Sequence, residues 1–220
     1  MDYAQALWLF LLLIFGIVIV PGMDMIFVLA SSLAGGRKAG LTATAGMMTG
    51  GAVHTLYGTL GTGILVAYAP RLFLPLVVAG ALYMMWIGLS LAKSAITVST
   101  VDGTGRSTLT ATFRRAVTTC LLNPKAYLFV IAVYPQFLKP AYGPILAQGL
   151  VLGLMTMAVQ GLVYGAVALA GDRARHALAG QPAMTIWIGR AAGALLIVAA
   201  AFTLAHGLMS DRQVSGDISG

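Results

Sequence analysis

Residues 5–31 read QALWLFLLLIFGIVIVPGMDMIFVLAS, 27 residues in which Asp24 is the one charged side chain. A helix rises about 1.5 Å per residue, and about 20 apolar residues cross the hydrocarbon core of a bilayer. The stretch is long enough to span a membrane, and it carries its own interruption, Pro21-Gly22, just before the charge. Five more apolar stretches follow, at 41–68, 72–92, 116–138, 145–171 and 186–209. Near-continuous apolarity favours helices over barrel strands, in which polar and apolar residues would alternate. The expected fold is an all-α integral membrane protein of about six transmembrane helices.

Composition agrees. Hydrophobic residues make up 59% of the chain and charged residues 9%, with a mean hydropathy of +0.91. Soluble domains carry about 25% charge, so water is not the expected solvent. The single cysteine, Cys120, excludes an internal disulfide and any CxxC redox or zinc motif. The start, Met1-Asp2-Tyr3, has no basic region, and no Ala-x-Ala site follows the apolar run, so the first helix is expected to be retained.

The net charge of +7 resides mainly in short basic clusters between the apolar stretches. Arg37, Lys38, Lys93, Arg106, Arg114, Arg115, Arg173 and Arg175 fall in alternate connections, against Arg71, Lys139 and Arg212 on the other side. Such asymmetry marks the cytoplasmic face, so both termini are expected on the non-cytoplasmic side. No basic helix or RNA-binding aromatic motif points to a nucleic-acid partner; the expected partner is membrane lipid. Tyr3, Trp8, Trp86, Tyr134, Phe137, Tyr142 and Trp187 lie near proposed span ends, where aromatic rings favour the headgroup layer.

Pro21-Gly22-Met23-Asp24-Met25-Ile26-Phe27-Val28-Leu29-Ala30 aligns without gaps to Asn123-Pro124-Lys125-Ala126-Tyr127-Leu128-Phe129-Val130-Ile131-Ala132, and Leu56-Tyr57-Gly58 echoes Val163-Tyr164-Gly165. Three helices per half would make the halves inverted repeats, an arrangement common in secondary transporters, whose sites lie where the halves meet. The expected organisation is one transmembrane domain over 1–210, with repeat 1 at about 4–92, a cytoplasmic loop at about 93–115 and repeat 2 at about 116–209. A polar tail, 211–220, follows.

Ionisable residues inside apolar spans are costly, at roughly 2.5–3.5 kcal/mol each on insertion scales, and usually face a bundle interior or a wet cavity. Asp24 and Lys125 each follow a proline, which removes a backbone donor and frees carbonyls at membrane depth. Their depths along the expected spans are similar, so they could meet or face one cavity. A structural ion pair locking two broken helices is the alternative. His54 is as consistent with an interhelical hydrogen bond as with a proton carrier, and Gln160 more so with such a bond than with substrate contact. Arg190 lies a turn inside the last stretch and is expected to snorkel to the surface.

The candidate substrate or proton pathway is thus Asp24, Lys125, Asn123, His54 and Gln160, with helix breaks at Pro21, Gly22 and Pro124. Neither a metal nor a cofactor is expected. The pairs Gly46/Gly50, Gly149/Gly153, Gly161/Gly165 and Gly189/Gly193 have the GxxxG spacing of close helix crossings. Gly161 is expected to pack against protein; spacing alone does not separate internal packing from a homodimer interface.

At these motifs the sequence resembles the LysE/RhtB family of amino-acid exporters. The resemblance rests on Pro21-Gly22-Met23-Asp24-Met25, Gly35-Gly36-Arg37-Lys38-Ala39-Gly40-Leu41 and the segment from Gly46 to His54. It continues through Gly80-Ala81-Leu82-Tyr83-Met84-Met85-Trp86-Ile87-Gly88, Leu122-Asn123-Pro124-Lys125-Ala126 and Pro135-Gln136-Phe137, covering roughly residues 4–208. It implies a six-helix inner-membrane protein that exports amino acids or related small metabolites, driven by the proton gradient. Met23 replaces the family's second proline, and Gly51 stands where some members carry an acidic residue, which disfavours a substrate such as lysine. A non-transporting membrane scaffold would leave the paired proline-and-charge motifs unexplained. A metal or inorganic cation exporter would need an Asp, His or Cys ligand cluster, and an intramembrane enzyme a second carboxylate, an HExxH motif or a nucleophile elbow. The sequence offers none of these.

Overall fold

The structure, a computed structural model, describes residues 2–61, 74–75, 77–86, 88–89, 108–177, 187, 190–191, 193–205 and 208–209. Every regular element among them is helical. The helices are α1 (Tyr3–Ile19), α2 (Met23–Leu60), α3 (Val77–Trp86), α4 (Leu109–Leu121), α5 (Pro124–Phe137), α6 (Ile145–Ala177) and α7 (Gly193–Ala205), with a 3₁₀ turn at Pro140–Tyr142. Arg71, Lys93, Arg106, Arg212, Gly189 and the 211–220 tail lie outside the described residues.

Local chemistry sets the ends. Asp2 and Gln5 form a reciprocal cap that opens α1, Gln5 N donating to Asp2 Oδ1 at 2.8 Å and Asp2 N to Gln5 Oε1 at 3.1 Å. Pro21 stops α1, and α2 departs from Gly22 at 55° to it. Thr108 caps α4 through Ala111 N. Pro124 divides α4 from α5, which are bent by 53° and capped by Asn123. The expected spans 5–31 and 116–138 are therefore broken pairs, and the second begins at Leu109, so 109–115 is helix rather than loop. Among the described residues α6 alone is long and apolar enough to cross a bilayer by itself, and each bent pair meets that test jointly.

The connection expected around Arg37 and Lys38 is reduced to a break at Gly36, where α2 divides into two arms and folds back, so Arg37 and Lys38 begin the second arm. Gly36 has φ 76° and ψ −169°, a region open essentially to glycine. A Cβ at Gly40 would meet the Ser32 side chain, although eight residues of straight helix would separate them by about 12 Å. Asp172 of α6 caps the second arm, accepting from Arg37 N at 2.8 Å. Arg173 and Arg175 likewise lie within α6 rather than in a loop.

Polarity is inverted relative to a soluble domain. On α6, Leu146, Leu150, Leu154 and Leu162 are each 58–69% exposed and form an apolar outer stripe. Asp24, His54, Thr55, Asn123, Thr156 and Gln160 are buried. A soluble monomer rarely exposes an apolar surface of this extent. Lipid tails remove the hydrophobic drive between helices, leaving close packing and interhelical hydrogen bonds to hold the bundle. α1 illustrates the packing, turning Ala6, Phe10, Ile14 and Val18 inward while Trp8, Leu12 and Phe15 face out. Phe10 meets Tyr134 and Phe137 edge-on at 5.7 and 5.4 Å, so those two rings are core and not headgroup anchors.

The glycine pairs divide. Gly46 and Gly50 receive α4, and a Cβ at Gly46 would lie 2.8 Å from the Phe113 carbonyl oxygen. Gly149 and Gly153 receive Thr59 and Thr55. Gly161 instead touches only the flexible end of Met48, and nothing lies within 4 Å of a Cβ at Gly165. The expected close crossing at Gly161 is corrected accordingly.

Gly36→Ala is expected to cost about 1–3 kcal/mol, because the substitution forces a side chain into a glycine-only conformation. A melting temperature in detergent equal to that of Gly165→Ala would refute the constrained reversal. Gly46→Leu should abolish the monodisperse peak in size-exclusion chromatography, whereas Gly161→Leu should retain it. Equal behaviour of the two would refute this division of the glycines.

Candidate functional site

Each proline removes one N–H, and so leaves the carbonyl four residues earlier without its helical partner. For Pro21 that carbonyl belongs to Ile17, and for Pro124 to Cys120. Lys125 Nζ donates to Ile17 O at 3.0 Å and to Val20 O at 2.9 Å. His54 Nε2 faces Cys120 O at 2.9 Å and, because a carbonyl only accepts, donates to it. The Asn123 N–H reaches the same carbonyl at 3.0 Å. Two ionisable side chains thus supply donors that the prolines removed, each across to the other broken pair. Gly22 keeps the way clear, since a Cβ there would stand 3.2 Å from Lys125 Nζ.

Asp24 lies in the first turn of α2, where the helix dipole favours an acidic group. Its Oδ1 accepts from Asn123 Nδ2 at 2.8 Å, and its Oδ2 receives the Tyr164 hydroxyl at 3.4 Å. Asn123 has a double role, because its Oδ1 also accepts from Lys125 N at 3.0 Å to cap α5. The caps, Gly22 and Asn123, put Asp24 and Lys125 at the same position, the second residue of their helices. This register differs by one residue from the ungapped sequence alignment.

These groups converge on a cavity with about 40 Å³ of space, lined by Asp24, Lys125, His54, Gln160 and Tyr164 among others. Asp24 and Lys125 therefore face one cavity, but no ion pair joins them; among the described residues the one salt-bridge contact is His176 with Asp172, at 3.6 Å. Of the residues expected from sequence, Asp24, Lys125, His54 and Gln160 line the cavity, and Asn123 supports it from behind. Pro21, Gly22 and Pro124 form the breaks. Arg190 is exposed beside Trp187, with its guanidinium 5.8 Å from the ring centroid.

Sequence reading missed Tyr164, Thr156 and Tyr134 as lining residues. The Tyr57/Tyr164 echo pointed at one of them, and counting back four residues from each proline would have found Ile17 and Cys120. Among the described residues no group of three or more His, Cys, Asp or Glu could hold a metal.

The chain matches the family described as LysE type translocator over residues 14–207. It is 32% identical over 184 residues to the homoserine/homoserine lactone efflux protein of Salmonella typhimurium, covering 82% of this chain and 87% of that protein. It is 34% identical over 125 residues to the leucine efflux protein of Klebsiella pneumoniae, covering 56% of this chain and 58% of that one. No solved structure matches it. A match spanning most of the chain, and reaching both proline breaks, settles the classification: the chain belongs to the LysE type translocator family.

Proposed function

We propose that this translocator exports amino acids or related small metabolites across the inner membrane, using the cavity between its two proline breaks as the substrate site. The observation that carries the reading is the convergence of Asp24, Lys125, His54 and Gln160 on one buried space. Charges at membrane depth are costly, and capping the broken carbonyls accounts for Lys125 and His54 but not for the carboxyl of Asp24 on the same cavity. The similarity to homoserine and leucine efflux proteins supports a substrate of amino-acid class. Efflux against a gradient needs an energy source, and titratable groups at the breaks fit coupling to protons.

The reading extends to topology. Six spans in two inverted halves, with both termini outside, account for the basic residues that cluster at alternate turns of the chain, whether in a connection or at a helix end. With Cys120 replaced, a cysteine at Ser215 should react with an impermeant thiol reagent in intact cells, and one at Ser107 should be protected. The opposite pattern would reverse the orientation.

Efflux and stability separate the roles of the two charges. Asp24→Asn should fold, because the amide preserves shape and much of the hydrogen bonding, yet efflux from loaded cells should fall at least tenfold. Lys125→Met leaves two carbonyls without their donor and should cost about 1–3 kcal/mol. Because no direct salt bridge joins the pair, the double variant should not be rescued, since the Ile17 and Val20 carbonyls still lack the Lys125 donor. A well-folded double variant with near-normal efflux would remove both residues from the transport path.

A further inference from the structure

Two acceptor atoms beside the cavity have no donor. Nδ1 of His54 and Oε1 of Gln160 are buried and unpartnered, in side chains only 3% and 5% exposed. Both side chains line the cavity. With Nε2 donating to the Cys120 carbonyl, the neutral imidazole carries its proton there and presents a lone pair at Nδ1. The carboxamide of Gln160 occupies the volume that a side chain at position 51 would fill, since a Cβ on Gly51 would lie 3.0 Å from both Cδ and Nε2. Thr156 Oγ1 on the same lining is also unpartnered, but as a hydroxyl it can donate as well as accept. Lys125 is engaged with the Ile17 and Val20 carbonyls and Asn123 with Asp24.

A buried acceptor left without a donor is unfavourable, and native proteins leave few of them. Two such atoms, on a cavity that Asp24 also lines, match a group that offers several N–H donors and a positive charge. We infer that His54 Nδ1 and the Gln160 carboxamide, seated over Gly51, form the subsite that receives the primary ammonium of the substrate. This rests on the export reading above and adds to it which end of the solute the α2–α6 side of the cavity recognises. A hydroxyl in place of the ammonium offers one donor and no charge, so the 2-hydroxy acid is discriminated against. Gly51 acts by absence, leaving room for the amide of Gln160.

The test uses purified full-length protein in liposomes loaded with radiolabelled leucine, homoserine or 2-hydroxyisocaproate, the last being leucine with hydroxyl for ammonium. Wild type should move leucine or homoserine in preference to the hydroxy acid. Gln160→Leu removes the amide at similar volume, and loss of one hydrogen bond to a charged group should lower amino-acid transport roughly tenfold or more. The preference over the hydroxy acid should narrow in proportion. Its melting temperature should hold or rise, since an unpaired buried acceptor has been replaced by an apolar group. Gly51→Ala displaces the amide without deleting it and should lower transport in the same sense. Wild-type preference in a well-folded Gln160→Leu protein would overturn the subsite while leaving export intact. A fall in melting temperature with the preference unchanged would make Gln160 a structural residue and also overturn it. If wild type moves neither amino acid, the export reading fails and the subsite fails with it.

Discussion

A backbone carbonyl that loses its helical donor within a membrane must find another, because lipid supplies none. Pro21 and Pro124 create that need at Ile17 and Cys120, and the rest of the site follows from how it is met. Lys125, rooted on α5, reaches the end of α1, and His54, rooted on α2, reaches the end of α4. Each broken helix pair is thereby tied to the other by a side chain that could also carry charge. An aliphatic side chain in place of Lys125 would leave the Ile17 and Val20 carbonyls without that donor, a penalty of about 1–3 kcal/mol. Without His54, by contrast, the Cys120 carbonyl would keep the Asn123 N–H. The breaks and the ionisable residues are one construction.

Asp24 completes it without pairing directly to Lys125. Its carboxyl accepts from Asn123, and Asn123 caps the helix that bears Lys125. A change at Asp24 is therefore felt at the start of α5 through one side chain. Tyr164 brings α6 into the same cluster, and Tyr134 joins α5 to α2 through a 2.7 Å contact with Thr55. Five helices, α1, α2, α4, α5 and α6, thus meet at hydrogen bonds around one small space, which is how a bundle without a hydrophobic drive between its helices gains a defined centre.

Much of this was legible in the sequence, because proline and charge are rare inside apolar runs and so carry information. Pro21, Asp24, Pro124 and Lys125 marked the site, and Lys125 and Asp24 do line one cavity. What the sequence hid were partners set by three-dimensional packing. Nothing local tells that Asp24 takes its hydrogen bond from a residue 99 positions away, or that Asp172 caps the arm beginning at Arg37. The charges of Arg37 and Lys38 placed the connection correctly but not its length; the fold-back needs only Gly36, a single residue in a glycine-only conformation. GxxxG spacing was equally indifferent to what each pair faces. Gly46 meets the α4 backbone, while Gly165 meets nothing.

The size of the cavity constrains how such a centre can work. About 40 Å³ holds on the order of a few water molecules, whereas sites for small-molecule ligands are typically about 300–1,000 Å³. Any solute larger than water requires the lining to part. The helices that form it are already divided at the cavity, by bends of 55° and 53°, and across each bend no continuous helical ladder resists a change of angle. What does resist are the bonds from Lys125 and His54 to the orphaned carbonyls. Widening the cavity at either break stretches those bonds, and a ligand that offers donors or acceptors in their place lowers the cost of opening. The atoms that hold the breaks together therefore belong to residues that also line the cavity, so a residue there cannot be altered in one respect without altering the other.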